Sequence, residues 1–136
     1  METTLVLLKP DAVRRNLMSE IIGRFERRGF TFRGMRLLQL DRATAEQHYA
    51  EHAGKPFFGD LVDFITRSPA LLLVVEGPSD TFKVVRQMMG VTNPKEAAPG
   101  TIRGDLAIEM TENLIHGSDS PESASREIGL FFPSLH

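Results

Sequence analysis

Six consecutive apolar residues, Ala70-Leu71-Leu72-Leu73-Val74-Val75, constrain this chain more than any other feature in it. The run is too short to span a bilayer and lacks the alternation of a strand with one wet face. Ser68-Pro69 closes it on one side and Gly77-Pro78 on the other. It therefore reads as a strand buried on both faces, in the interior of a sheet. Such a strand needs partners on both edges and cover on both faces, which the rest of the chain must supply.

Thr3 to Leu8 is a second apolar strand, stopped by Lys9-Pro10-Asp11 so that Lys9 sits at its end. From Leu17 to Arg28, residues Leu17, Ile21, Ile22 and Phe25 recur at helical spacing, Arg24, Arg27 and Arg28 face away, and Gly29 ends the helix. Gly23 within it implies close packing against another backbone. Phe30 to Leu40 alternates loosely and reads as a strand. Asp41 caps a helix reaching Tyr49, and Pro56 opens another over Phe57 to Thr66 with Phe57, Leu61, Phe64 and Ile65 as its stripe. Ser79 or Asp80 caps a helix through Met89, stopped by Gly90. Val91 to Gly104 reads as a long loop of the kind that serves function. A last short strand is expected over Leu106 to Glu109. Ser120 then caps a helix with Pro121 at its first position and Glu122 in its first turn. Phe131 to His136 reads as a tail whose Phe-Phe-Pro content implies docking on something. The order β-α-β-(α-α)-β-α-β-α is a split βαβ pattern. It predicts an α+β, ferredoxin-like α/β sandwich: one domain over residues 1–136, with a four-stranded antiparallel sheet and added helices.

Composition narrows the function. A formal net charge of -2 over 136 residues provides no global field for a polyanion, so no specific nucleic acid is expected. The chain has no cysteine, hence no disulfide framework and no thiolate metal site. Met1-Glu2-Thr3-Thr4 runs directly into a strand, without the basic start and apolar core of a leader, and no segment is long enough to span a membrane. The expectation is a soluble cytoplasmic protein.

The chemistry concentrates in Asn113-Leu114-Ile115-His116-Gly117-Ser118-Asp119-Ser120, where an imidazole, two hydroxyls and a carboxylate surround a glycine just before a helix start. Glu127 falls about two turns into that helix, within reach of a ring nitrogen whose tautomer it would set. That is the layout of an activated nucleophile, although a lone histidine is commonly structural. No Gly-Lys-Ser/Thr phosphate loop and no Gly-x-Gly-x-x-Gly is present, so phosphate binding would fall to side chains: Lys9, Arg86, Thr92 and Arg103. Each alone is more simply a solvated surface group. His48-Tyr49-Ala50-Glu51-His52 has the H-x-x-E-H spacing of inverted zinc peptidases. Gly54 and Pro56 end the helix at once and a chain this short leaves little room for a third ligand and a substrate cleft, so surface histidines near a helix end are the simpler reading. Tyr49 packs, or reaches its hydroxyl toward Lys9. Phe57 or Phe58 is core, or keeps one ring at the rim for stacking on a base.

Lys9-Pro10-Asp11-Ala12-Val13, His48-Tyr49-x-Glu51-His52, Lys55-Pro56-Phe57-Phe58, Pro99-Gly100-Thr101-Ile102-Arg103-Gly104-Asp105, Asn113-x-x-His116-Gly117-Ser118-Asp119-Ser120 and Glu122-Ser123-Ala124-x-Arg126-Glu127-Ile128 together resemble the nucleoside diphosphate kinases, in order along the whole chain. The resemblance also accounts for the H-x-x-E-H string, which that family carries without zinc. It implies a ping-pong enzyme that moves the γ-phosphoryl of ATP or another nucleoside triphosphate onto His116, through Nδ1, and then onto a nucleoside diphosphate, with Mg2+ bound mainly through the nucleotide. It further implies that Glu127 and Ser118 orient or assist His116. Lys9, Tyr49, Arg86, Thr92 and Arg103 hold phosphates or the sugar edge, Asn113 binds the ribose, Phe57 stacks on the base, and Leu61 and Met110 line the opening. A base that is stacked but not read at its edge implies low base specificity, and the family implies a homo-oligomer, hexamer or tetramer. Ser19, where the family usually has glycine, and Arg67-Ser68-Pro69, replacing Ser-Gly-Pro, depart from the pattern away from these residues. A non-catalytic nucleotide-binding module on the same scaffold is the alternative, and it has no need of His116, Ser118 and Glu127 together.

Overall fold

The computed structural model describes residues 1–135; the last residue of the expected tail, His136, lies outside the described residues. Four strands, β1 (Glu2–Leu8), β2 (Thr31–Leu38), β3 (Ala70–Gly77) and β4 (Ile115–Gly117), form one sheet in the order β2-β3-β1-β4. Every neighbouring pair is antiparallel. The apolar run lies on the inner strand β3, buried throughout as its composition demands. Along β1 and β3 successive residues point to opposite faces. Val6, Leu8, Leu71, Leu73 and Val75 pack with Ile21, Phe25, Val85 and Met89; Leu5, Leu7, Leu72 and Val74 pack with Ala45, Val62, Ile65, Ile128 and Phe131. Each such side chain contributes about 1.5–3 kcal/mol by leaving water. Helices α2 (Met18–Arg28) and α5 (Thr81–Met89) thus cover one face; α3 (Arg42–His48), α4 (Phe58–Thr66) and α7 (Pro121–Phe131) cover the other. This is the ferredoxin-like sandwich with added helices. Two short helices, α1 (Pro10–Arg14) and α6 (Ile102–Leu106), complete the set. Among the described residues no helix is long and apolar enough to cross a membrane.

Local chemistry explains the ends. Asp41 accepts from Thr44 N at 2.7 Å to open α3, Ser120 accepts from Ser123 N at 3.0 Å to open α7, and Gly29 closes α2 at φ 105°. The tail finds its docking surface on the chain itself: Phe132 is buried, and Arg36 Nη1 donates to the Phe131 carbonyl at 2.8 Å. Gly34, at the bulge in β2, makes room for it, since a Cβ there would lie 2.9 Å from Leu135 and 3.0 Å from Phe132.

Other expectations are corrected. No strand covers Leu106 to Glu109. Thr101 Oγ accepts from Gly104 N at 3.0 Å and starts α6, which ends at Leu106, so the irregular stretch after Met89 also stops earlier than Gly104. The fourth strand is Ile115–Gly117 and contains His116 itself; three residues are too few to show a period. Gly23 meets no second backbone, because a Cβ there would approach only the Arg27 guanidinium, at 3.0 Å. Asp80 stands at the cap position of α5 with φ 68° and makes no side-chain cap bond. Glu2 takes that role from the neighbouring strand β1, its carboxylate accepting from Asp80 N at 3.0 Å and Phe82 N at 3.1 Å. The helix Pro10–Arg14 follows from Pro10 at a first helical position, a signal read above only as a strand stop.

Candidate active site

Strand pairing decides which way His116 faces. Its Cα partner on β1 is Leu7, so its side chain shares the Leu7 face, under α3 and α7. Glu127, on the buried side of α7, meets it there: Nε2 of His116 lies 3.1 Å from Oε2 and 3.3 Å from Oε1. An ionised carboxylate only accepts, so Nε2 carries the ring proton and Nδ1 keeps its lone pair. Ser118 Oγ donates to Glu127 Oε1 at 2.6 Å, fixing the carboxylate from the other side. Burial pushes the Glu127 carboxyl upward, but the hydrogen bond and charge of His116 and the Ser118 hydroxyl outweigh it and hold it down at about 2. Glu127 is therefore an anion at any working pH.

The backbone leading to His116 is clamped. Leu114 sits at φ 77°, a left-handed conformation that costs a leucine roughly 1–2 kcal/mol. Both sides of the residue are held: Leu114 N donates to Asp11 Oδ2 at 3.1 Å, and its carbonyl accepts from Lys9 N at 2.8 Å. Asp11 is buried, and its carboxyl is raised, first by burial, with the bond from Leu114 N pulling the other way.

A cleft of about 300 Å3 opens over His116, lined among others by Lys9, Arg86, Thr92, Arg103, Asn113 and Glu127. Lys9 Nζ donates to Asn113 Oδ1 at 2.8 Å, and Asn113 Nδ2 donates to the Thr92 carbonyl at 3.0 Å, so these three form one chain of bonds along the wall. Burial, and then the neighbouring Arg103 charge, bring the Lys9 ammonium down to about 8 against a partial rise from Asp11. Arg86 donates to the Gly117 carbonyl at 2.8 Å. Arg103 is buried and donates to the carbonyls of Asn113 (3.3 Å), Gly90 (2.8 Å) and Ile115 (2.5 Å). Three of its five N–H groups are thus spent on backbone and two remain. Burial and the nearby Arg86 lower it to about 10, still cationic at neutral pH.

Seven of the expected residues, Lys9, Arg86, Thr92, Arg103, Asn113, His116 and Glu127, come together in the cleft, with Ser118 bonded to Glu127 beneath it. Four do not line it. Phe57 is 43% exposed at the rim, its ring 5.4 Å from that of His52, which does line the cleft, with Lys55 Nζ 5.8 Å above its face. Leu61 is half-buried on α4, and Met110 is exposed. Tyr49 is buried with its ring edge-on to His48 at 4.7 Å, and burial pushes its phenol up to about 12. It packs; no hydrogen bond joins it to Lys9 among the described residues. The H-x-x-E-H string is divided by the end of α3. His48 is buried beside His116, so the reading of surface histidines fails for it, while His52 lies on a 3-10 turn at the cleft. The sequence singled out both His48 and Asp11 as motif members but not their burial at the site, for which the spacing of His48 from Ala45 on one helix face was the available signal.

An acceptor-bound imidazole with a free nitrogen, under several cations at the end of an antiparallel α/β sandwich, defines a class of domain built to handle a small anionic substrate at a histidine. The comparisons make that class specific. A family model described as nucleoside diphosphate kinase matches residues 2–136. A nucleoside diphosphate kinase of Frankia casuarinae is 57% identical over 134 residues, 98% of this chain and 97% of that one. One from Thermomicrobium roseum is 57% identical over 132 residues, 97% of this chain and 88% of that one. Among solved structures, a halophilic nucleoside diphosphate kinase from Halobacterium salinarum in complex with CDP superimposes with a TM-score of 0.93 at 47% identity, covering 96% of this chain and 87% of that one. A nucleoside diphosphate kinase family protein from Babesia bovis gives 0.95 at 41% identity, covering 99% and 90%. The chain belongs to the nucleoside diphosphate kinase family. It is an enzyme that transfers phosphate between nucleotides, rather than a binding module on a shared scaffold.

Proposed function

We propose that His116 is the phosphoryl carrier of a ping-pong cycle, and the observation that carries this is the Nε2 contact with Glu127, which leaves Nδ1 with its lone pair in a cationic cleft. In the first half-reaction Nδ1 attacks the γ-phosphorus of a nucleoside triphosphate. The N–P bond forms, the P–O bond to the β-phosphate breaks, and its electron pair stays with the departing diphosphate. The ring keeps its Nε2 proton and becomes cationic, a charge that the Glu127 carboxylate balances at hydrogen-bond distance. The second half-reaction reverses these steps with a new diphosphate. Phosphoryl transfer asks for alignment and for positive charge around the equatorial oxygens. Lys9, Arg86 and the two unspent N–H groups of Arg103 supply that charge, and Thr92 and Asn113 hold the phosphate and ribose edge.

Mg2+ enters with the nucleotide. It demands oxygen ligands in near-octahedral array, and the one cluster of three potential ligands among the described residues, His48, His116 and Glu127, offers two imidazoles and a single carboxylate. Bound with the nucleotide, the ion would offset phosphate charge alongside Lys9, Arg86 and Arg103. Stacking on Phe57, with Leu61 and Met110 at the opening, gives a grip that every base satisfies, hence low base specificity. The working enzyme is a cytoplasmic homo-oligomer, hexamer or tetramer; the open edge strand β2, with Met35 and Leu37 half exposed, supports self-association. The decisive experiment is incubation with γ-labelled ATP: the protein acquires an acid-labile, alkali-stable phosphate that a nucleoside diphosphate removes, and His116→Ala acquires none. Persistent exchange in His116→Ala would end this reading.

A further inference from the structure

His48 is a buried polar group that the phosphoryl-transfer chemistry leaves unused. It projects from α3 between Tyr49, His116 and Phe131, and neither ring nitrogen has a hydrogen-bond partner among the described residues. An imidazole buried with both nitrogens idle is costly and calls for an account. Its Nδ1 lies 3.8 Å from Glu127 Oε2, and His116 Nε2 lies 3.1 Å from the same oxygen. The two rings cross at 82° with centroids 4.8 Å apart. One potential ligand atom from each of the three residues falls within 4.8 Å of the others.

We propose that His48, His116 and Glu127 form an inhibitory site for a divalent cation of the zinc class. Two imidazole nitrogens and a carboxylate oxygen are a common zinc set, and ligand atoms around a tetrahedral ion with bonds of about 2.0–2.2 Å lie roughly 3.3–3.5 Å apart. The two measured separations bracket that spacing, so tilting of the rings completes the site, with water in the fourth position. Burial keeps the His48 ring neutral, so one of its two nitrogens carries a free lone pair, and Glu127 is ionised, so both ligands are already in their binding forms. The site takes the first histidine of the H-x-x-E-H string and not the second, so it is unrelated to the peptidase arrangement. Hard, oxygen-seeking Mg2+ does not suit it.

The inhibition follows from the tautomer. A cation on Nε2 of His116 takes that nitrogen's lone pair, and the ring proton moves through solvent to Nδ1. Nδ1 then has no lone pair for phosphorus. The cations that grip phosphate are untouched, so nucleotide still binds while transfer stops. This half rests on His116 as the phosphoryl carrier; binding of the ion does not.

The test starts from chelator-treated protein titrated with zinc chloride by calorimetry, desalted, and then given γ-labelled ATP with Mg2+. Expected are one zinc per chain, labelling reduced at least tenfold and restored by EDTA, and affinity for a non-hydrolysable nucleotide within twofold of the metal-free protein. His48→Phe, which keeps a ring in place without nitrogens, loses the zinc and the inhibition; His52→Asn retains both. X-ray absorption of the loaded wild type shows two imidazoles at the ion. That measurement decides the matter even if His48→Phe does not fold, since fewer than two imidazoles overturns the site. So does absence of stoichiometric binding at micromolar zinc, or zinc held equally by His48→Phe. Zinc bound by both imidazoles with labelling unchanged overturns the inhibitory half. Failure of the carrier reading is visible separately, as exchange surviving in His116→Ala.

Discussion

Glu127 shows how a single residue links stability to chemistry. Its carboxyl is held at about 2 in the folded chain against an ordinary 4.5. A depressed carboxyl contributes stability that is fully present above its unfolded value and lost as pH falls through the folded one, here from about pH 4.5 to about 2. The difference of about 2.5 units corresponds to something on the order of 3 kcal/mol. Glu127→Gln is therefore expected to melt with a shallower pH dependence between pH 5 and 2 than the wild type, read by scanning calorimetry; parallel curves would show that His116 and Ser118 do not hold the carboxylate. Lys9 carries the opposite sign. Brought down to about 8, its ammonium is present at neutral pH and lost above it, so kcat/KM for a nucleoside triphosphate should fall as pH rises through about 8. In Lys9→Met that alkaline limb should disappear from a plateau already lowered at least tenfold. An unchanged limb would mean that another group titrates there.

At the scale of elements, caps and close approaches position the residues that act. Glu2 is the acceptor for two backbone N–H groups opening α5, the helix that carries Arg86. Glu2→Ala should cost about 1–2 kcal/mol by denaturant unfolding, with a modest rise in KM because Arg86 still has Gly117 to hold it. Gly104 lies on α6, next to Arg103. A Cβ there would lie 2.0 Å from the Ala98 carbonyl oxygen, which is backbone and cannot swing aside. Gly104→Ala should displace the stretch before α6 together with Arg103, raising KM far more than Glu2→Ala does; equal KM values in the two variants would refute this ranking. These elements also show what the sequence made legible. Asp41, Ser120 with Pro121, and Gly29 act through neighbours within a few residues, so their roles were readable from order alone. Glu2 capping α5, Asp11 holding Leu114, and Arg103 satisfying three carbonyls act across the fold, and no local pattern announces them. The fourth strand was misplaced for the same reason: Ile115–Gly117 is defined by its pairing with β1, not by any period of its own.

At the scale of the whole molecule the sheet has one edge committed to function and one left open. β4 is three residues long, spends its register on aiming His116 beneath α7, and sits beside the cleft. β2 is the other edge, eight residues long, with Met35 and Leu37 about half exposed and the tail packed against Gly34 at its middle. An uncovered edge with apolar side chains invites pairing with another copy, and proteins that stay monomeric usually blunt such an edge with charge, proline or a covering segment. Arg33 and Arg36 supply some charge, but that of Arg33 is paired to Glu76, and Arg36 is turned onto the Phe131 carbonyl. Two copies related by a twofold axis would set this strand against itself, an isologous contact that closes. Leu37→Lys places like charges opposite each other across that axis and removes an apolar contact, while leaving the cleft intact. Light scattering should show the wild type as an oligomer and Leu37→Lys shifted to smaller species, with histidine labelling by γ-labelled ATP retained within a few-fold. A variant of unchanged mass would exclude this edge as the assembly surface, and one that dissociates and loses labelling together would show that the cleft depends on assembly.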